Sequence, residues 1–191
     1  MFMFDVETLS TESTTVILSA ALLYFDPEKQ PTYNQLLEDA CFVKLDSKDQ
    51  VERLGRTVSK GTLNWWKEQH EYVHAVSFNP NPEMDIKAEM AMEILQRYVE
   101  KHDPERKSVI WARGSLDQMA IDSLSMALDI EPIMPYNRWR DVRTAVDCFT
   151  GSTNGYCDVD HPEFIREDVI KHHPVHDCAL DAMMLMYGKA T

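Results

Sequence analysis

The sequence has few positive charges, no long apolar run and no paired cysteines. Its 191 residues include 19 Lys and Arg against 32 Asp and Glu, a formal net charge of -13. This balance excludes the broad basic surface with which proteins coat nucleic acid by neutralising its phosphates. If a chain of this charge handles nucleic acid, we expect it to do so locally, with bound metal ions supplying positive charge.

The missing export and membrane signals predict a soluble intracellular protein. No basic segment followed by an apolar stretch opens the chain, so no secretory signal is visible. The longest apolar run, residues 16–25, is about half of the roughly 20 residues that a membrane span requires. The four cysteines form no Cys-x-x-Cys pair, a pattern typical of reduced thiols rather than of a disulfide frame or a zinc knuckle.

Apolar patterns along the chain predict one α/β domain over residues 1–191, with a mixed sheet flanked by helices. Short runs rich in apolar and β-branched residues predict strands at 1–7, 15–25, 41–45 and 109–112. Helical spacing predicts helices at 84–99, 140–149 and 177–187, and two more are expected: a short one at 63–69, after Ser59–Thr62, and one that Ser115 opens. Ser115 and Gln118 have the spacing of a capping box.

Two acidic residues, Asp5 and Glu7, end the first apolar strand. Residues two apart on a strand project from the same face, so the two carboxylates are expected side by side. Such a pair is a natural cradle for a hard divalent cation such as Mg²⁺. Other acidic pairs of this spacing lie in polar or turn-like surroundings, and the plain alternative for Asp5 and Glu7 is an exposed strand end.

The last predicted helix contains an isolated acid. Between Cys178 and Gly188 the only charged side chain is Asp181, and an ionised Asp among apolar residues is costly unless a cation or hydrogen bonds compensate it. Asp181 is therefore a candidate metal ligand. His176 lies five residues earlier, about 140° away around the helix, where it could take a proton from water beside a metal ion. The alternative is a capping His and an Asp that accepts from a backbone amide.

Asp117 is the fourth candidate carboxylate. It lies in the first turn of the helix that Ser115 opens, where the helix dipole alone would favour it. The helix also leaves a strand end, where sites of α/β proteins collect. His172, His173, His176 and Cys178 lack the spacing of a tetrahedral zinc site.

Taken together, Asp5-x-Glu7, Asp117 and His176-x4-Asp181 resemble the DEDD superfamily of 3′-to-5′ exonucleases. The histidine places the resemblance in the DEDDh branch, which includes polymerase proofreading subunits and RNase T. The order of the motifs and their strand, helix-start and helix settings match, and the resemblance covers essentially the whole chain.

Three segments are most similar to exonuclease A of T-even bacteriophages and related small bacterial exoribonucleases: residues 64–66, 111–117 and 139–143. The chain also departs from the branch. Leu9 follows Thr8 where many relatives have Gly, and Arg113 and Leu116 stand where proofreading exonucleases favour Asn and Phe.

The resemblance implies a ribonuclease H-like fold, with three α/β/α layers around a mixed five-stranded sheet. It implies two Mg²⁺ or Mn²⁺ ions held by the four carboxylates, with Asp5 shared between both ions and His176 as the general base. The implied reaction releases nucleoside 5′-monophosphates from the 3′ ends of single-stranded nucleic acid. It would take place in a bacterial cytosol or a phage-infected cell. DNA or RNA as substrate, and a monomer or a homodimer, both stay open.

A smaller set of residues is expected to hold the substrate. Thr8 and Leu9 follow the first motif, Trp65 and Trp66 can stack on bases or pack in the core, and Arg140 and Arg143 form a basic island that suits a phosphate backbone. Two other functions remain to be distinguished: a catalytically idle binding domain, and an acidic mimic of nucleic acid. A mimic needs carboxylates spread over a surface, whereas one of the carboxylates here is isolated in an apolar helix.

Overall fold

Within residues 1–190, six strands form one mixed sheet. In the computed structural model, which describes residues 1–190, the strands are β1 (Phe2–Thr8), β2 (Ile17–Tyr24), β3 (Cys41–Leu45), β4 (Asp85–Ile86), β5 (Ile110–Ala112) and β6 (Trp139–Asp141). Their order across the sheet is β4-β3-β2-β1-β5-β6. β1, β2 and β3 form an antiparallel meander, whereas β5 pairs in parallel with β1 and β6, and β4 in parallel with β3.

Helices connect the strands. They are α1 (Tyr33–Asp39), α2 (Ser47–Leu54), α3 (Lys60–Lys67), α4 (Glu71–Val73), α5 (Ala88–His102), α6 (Leu116–Leu128), α7 (Val142–Thr150) and α8 (Pro174–Tyr187). A π-helical turn, His74–Phe78, follows α4. Over residues 1–190, no helix has both the length and the apolar character needed to cross a bilayer.

The alternation of side chains along β1 separates two cores. Phe2 and Phe4 pack on one face of the sheet with apolar residues of α5 and α6, and Met3 packs on the other face with α8. Asp5 and Glu7 share the face of Met3 because side chains two apart on a strand point the same way. The predicted α/β/α arrangement is confirmed, and it places both carboxylates under α8.

The strand count and four helix starts differ from the expectation. The sheet has six strands rather than five, because residues 85–86 and 139–141 pair as the edge strands β4 and β6. The helices expected from 84 and 140 therefore begin at Ala88 and Val142. Those expected from 63 and 177 begin three residues earlier, at Lys60 and Pro174. Strands of two or three residues are too short to show an alternating pattern. An ion pair of 2.6 Å between the Lys44 Nζ and an Asp85 oxygen stabilises β4.

The capping box predicted at the start of α6 does not form. Ser115 is the N-cap residue, but its backbone is already helical and its side chain makes no capping hydrogen bond. The helix itself begins where it was predicted, and it carries Asp117 in its first turn.

Candidate active site

A cleft of about 610 Å³ opens where β1, α6 and α8 meet. Its lining combines five acidic side chains, four basic side chains, His172 and four other residues. The lining residues are Asp5, Val6, Glu7, Arg113, Asp117, Arg143, Asn154, Tyr156, Arg166, Lys171, His172, Asp177, Leu180 and Asp181. All four of the sequence-predicted carboxylates, Asp5, Glu7, Asp117 and Asp181, therefore lie together.

Asp5 and Glu7 form the floor of this cleft. Burial raises the pKa of both carboxyl groups well above the usual range, and the neighbouring carboxylates raise it further. The buried Oδ2 atom of Asp5 has no hydrogen-bond partner among residues 1–190. A buried carboxylate oxygen without a donor is costly unless a cation satisfies it.

Asp117 reaches the same cleft from the first turn of α6. Its side chain is only 7% exposed. Burial and the nearby charge of Asp181 raise the pKa of Asp117 to about 7, although Arg113 and Arg143 oppose the shift. Without a cation in the cleft, a proton would therefore compete for this carboxylate near neutral pH.

Asp177, in the first turn of α8, is an acidic residue that sequence reasoning missed. Burial and the charge of Asp181 raise the pKa of its carboxyl group to about 7. The Asp177 Oδ2 accepts a hydrogen bond of 2.9 Å from the backbone N–H of His172. Potential ligand atoms of Glu7, His172 and Asp177 lie within 4.8 Å of one another, so the two carboxylates could hold a metal ion with the His172 ring next to it.

His172 lies in the cleft in a strained backbone conformation. Its φ is 62°, in the left-handed region that residues other than glycine rarely adopt and that is common at functional sites. Its ring contacts Trp65 edge to face, with centroids 4.8 Å apart. Burial, aided by the charge of Lys171, lowers the pKa of His172, so its ring is neutral near pH 7.

His176, the histidine expected to act as the base, does not line the cleft. Its Nδ1 atom lies 2.8 Å from the Tyr33 hydroxyl of α1, and its ring packs against His173. The geometry of α8 explains this position. His176 is adjacent to Asp177, and successive side chains on a helix point about 100° apart. When Asp177 faces the cleft, His176 must face α1.

Asp181 is in the cleft, but a side chain already compensates its charge. The guanidinium of Arg113 donates to both carboxylate oxygens from Nε at 3.1 Å, and from Nη2 to Oδ1 at 2.6 Å. Arg113 also donates to the Gly155 carbonyl at 2.7 Å and lies 4.1 Å above the centre of the Tyr156 ring. The compensating cation that the apolar setting of Asp181 demands is thus an arginine of this chain.

The two tryptophans have different surroundings. Trp66 is fully buried and donates from its indole to the Thr8 carbonyl at 2.9 Å, whereas Trp65 is 39% exposed. Trp65, Thr8 and Glu7 line a second depression of about 360 Å³, between the end of β1 and α3. Leu9 lies in the small core around Trp66 and lines neither depression.

The two arginines of the predicted basic island lie in different depressions. Arg143 lines the main cleft, but Arg140 lines a separate depression beside Ser115 and donates to two nearby backbone carbonyls. Arg113, Arg166 and Lys171, which sequence reasoning did not assign to substrate, take the remaining basic positions in the cleft.

One signal for the missed residues was present in the sequence. His172 and Asp177 are separated by four residues, the same spacing as His176 and Asp181. Two overlapping His-x4-Asp patterns therefore exist, and only the path of the chain before Pro174 shows which histidine enters the cleft.

The α/β/α fold brings five carboxylates together beside the central strand β1, an arrangement that suits divalent cations and hydrolytic chemistry. The family described as the 3′-5′ exoribonuclease Rv2179c-like domain matches residues 1–188, so the chain belongs to that family. The chain is also similar to the exodeoxyribonuclease of Enterobacteria phage T4. The two are 25% identical over 204 aligned residues, which cover 98% of this chain and 88% of the phage protein. The protein is a 3′-5′ exonuclease, and hence a phosphodiester hydrolase.

Proposed function

We propose that this enzyme removes nucleoside 5′-monophosphates one at a time from the 3′ end of single-stranded nucleic acid. In this proposal the whole chain is one exonuclease domain that acts in the cytosol. The observation that carries the proposal is the cluster of Glu7, His172 and Asp177, with ligand atoms within 4.8 Å of one another, beside Asp5 and Asp117 in the same cleft.

The carboxylates suit two Mg²⁺ or Mn²⁺ ions. Asp5, Glu7, Asp117 and Asp177 offer oxygen ligands, which these hard cations prefer. The unpartnered Oδ2 of Asp5 supports a cation at the floor of the cleft, and so do the raised pKa values of the four carboxyl groups. When bound, two such ions activate the attacking water and neutralise the charge on the leaving 3′ oxygen.

This assignment replaces two residues of the sequence prediction. Asp177 takes the place of Asp181 because its carboxylate pairs with no arginine or lysine side chain among residues 1–190, whereas Arg113 occupies that of Asp181. His172 takes the place of His176 because its ring lies in the cleft. A neutral His172 can accept the proton of the attacking water, and its hydrogen bond to Asp177 and its left-handed backbone fix where it stands.

The depression beside Trp65 suits the terminal nucleotide. The exposed face of Trp65 offers a stacking surface for a base, and the depression shares Val6 and Glu7 with the main cleft. A single strand suits this cleft better than a duplex, because a chain with a net charge of -13 lacks the basic surface that would hold a second backbone. The matching family is described as exoribonucleases and the phage relative as an exodeoxyribonuclease, so both RNA and DNA are candidate substrates.

Digestion of matched 5′-labelled DNA and RNA single strands tests this proposal. Wild type should produce a ladder that shortens from the 3′ end with Mg²⁺ or Mn²⁺ but not with EDTA, and the faster substrate identifies the preferred sugar. The Asp177→Asn variant should give no ladder. Binding of both strands without cleavage would instead indicate an idle binding domain. Failure to bind either strand would favour the acidic mimic.

A further inference from the structure

Three cations in the cleft have no hydrogen-bond or ion-pair partner for their side chains within residues 1–190. Arg143 lies in the first turn of α7, and Arg166 and Lys171 lie in the connection between α7 and α8. All three residues are exposed, and among residues 1–190 none of their side chains forms an ion pair or donates a hydrogen bond. Arg113, in the same cleft, is fully engaged by Asp181 and Gly155. The three free cations are therefore available to a ligand.

Gly155 fixes the position of Arg143. A Cβ atom at Gly155 would lie 2.6 Å from the Arg143 Cγ, so only a glycine allows the backbone to pack this closely on the arginine stem. The φ of Gly155 is also 74°, a conformation that favours glycine. Its N–H donates to the Asp147 Oδ1 at 2.8 Å, which anchors the loop to α7. Close packing against Gly155 thus fixes the first carbon atoms of the Arg143 side chain at the cleft.

The layout of the two depressions gives the bound strand a direction. They meet at Val6 and Glu7, with Trp65 on one side and the three free cations on the other. If the 3′-terminal nucleotide occupies the Trp65 side, the rest of the strand must leave across the cations. Each nucleotide upstream of the scissile bond brings one negatively charged phosphate.

We propose that Arg143, Arg166 and Lys171 form a track that binds the phosphates on the 5′ side of the scissile bond. The direction of the strand rests on the proposed function, but the binding of a polyanion at these cations does not. The track also explains how so acidic a protein retains a polyanionic substrate. The carboxylates and their metal ions hold the reacting phosphate, and the track holds the phosphates that follow it.

A competing role for the three cations is to offset the charge of the carboxylates. Arg143 acts on the pKa of Asp117 and Lys171 on that of Asp177 in this sense. The two roles differ in their dependence on substrate length. A dinucleotide has only the scissile phosphate, so a track adds little to its binding, whereas an effect on the carboxylates would alter short and long substrates alike.

The test compares two triple variants that each remove three positive charges. One is Arg143→Gln, Arg166→Gln and Lys171→Gln. The control is Arg97→Gln, Lys101→Gln and Lys107→Gln, whose residues lie on or after α5, across the sheet from the cleft. Binding of a fluorescein-labelled 12-nucleotide strand with phosphorothioate linkages is followed by anisotropy from 50 to 200 mM salt. The KM values for a dinucleotide and for an unmodified 12-mer are measured in parallel.

Three phosphate contacts on a single strand contribute about 2 to the log–log salt slope, or roughly a 20-fold loss of affinity over this range. The track variant should lose that part of the slope and should raise KM more for the 12-mer than for the dinucleotide, and the control should keep the wild-type slope. An unchanged slope in the track variant, or equal KM increases for both substrates, would overturn the track. Wild type that binds the 12-mer with this salt slope but cuts neither substrate would refute the proposed activity and leave the track intact.

Discussion

Two histidine–aspartate pairs with identical spacing lie within ten residues of each other and have opposite surroundings. His172 and Asp177 face the cleft, joined by a 2.9 Å hydrogen bond from the His172 backbone N–H, and among residues 1–190 no arginine or lysine pairs with the carboxylate. In the second pair, His176 turns to Tyr33, and Asp181 is neutralised by Arg113. Spacing in the sequence therefore does not decide which residues reach a site. The start of the helix and the partner on the facing element decide it.

The largest difference between the two pairs should be in turnover. Because Asp177 is proposed to ligate the metal ions, Asp177→Asn should lower kcat by about 10³-fold or more, which corresponds to roughly 4 kcal/mol of transition-state stabilisation. Asp181→Asn, the matched control one helical turn away, should lower it far less. Steady-state release of 5′-mononucleotides from a single strand measures both. If the two variants lost activity equally, Asp181 would also be a ligand.

Substitution of His172 should lower turnover more than substitution of His176, just as Asp177 should matter more than Asp181. Loss of a general base typically lowers rates by about 10²- to 10⁴-fold, so His172→Ala should fall in that range. His176→Ala removes the contacts of Nδ1 with the Tyr33 hydroxyl and the Ile170 N–H and should lower stability by about 1–2 kcal/mol, with kcat close to that of wild type. A pH profile of kcat identifies the base, because its acidic limb should disappear in the His172 variant alone. If the limb disappeared in the His176 variant instead, the assignment would be reversed.

The free carboxylates should also make metal-free protein less stable as pH rises. Asp117 and Asp177 have pKa values of about 7 in the fold, against about 3.9 for an unfolded Asp. The folded protein therefore holds protons that the unfolded chain releases. This stability is fully present below about pH 4 and is lost as pH rises through 7, at roughly 1.4 kcal/mol per pH unit for each proton.

Thermal unfolding in EDTA from pH 5 to pH 8 should show this loss, and Mg²⁺ should raise the Tm more at pH 8 than at pH 5. Asp177→Asn removes one such carboxyl group, so its Tm should fall less steeply with pH. An Asp177→Asn variant whose Tm falls with pH as steeply as that of wild type would contradict the raised pKa of Asp177.

Structural features that depend on a short stretch of sequence could be predicted, and features that depend on distant residues could not. β1, β2, β3 and β5 were predictable because each is a short apolar run between turns. The edge strands β4 and β6 were not, because residues 85–86 and 139–141 pair through neighbouring strands rather than through a pattern of their own.

The same distinction applies to the site. Asp5, Glu7 and Asp117 could be placed because a strand end and a helix start are visible in sequence, and the structure brings these residues together. The choice between Asp177 and Asp181 depends on Arg113, which is 68 residues before Asp181. The sequence showed that Asp181 needs a cation, but it could not show that an arginine supplies it.

The smallest expected effect on chemistry, and the sharpest test of the comparison, concerns the Arg113–Asp181 pair. Its side chains are 13% and 8% exposed, so Asp181→Asn leaves a largely buried guanidinium without its counter-charge. Breaking such a pair costs about 3–5 kcal/mol, and the Tm should fall by roughly 6–15 °C for a chain of this size.

A double variant, Arg113→Met with Asp181→Leu, removes both charges and should recover most of that stability, since apolar replacements of a buried pair are often tolerated. Thermal and urea unfolding of the two single variants and the double variant give the coupling energy. If Asp181→Asn melted like wild type and yet lost activity as Asp177→Asn does, the carboxylate would be acting on the reaction and not on the fold, and the two pairs would be equivalent after all.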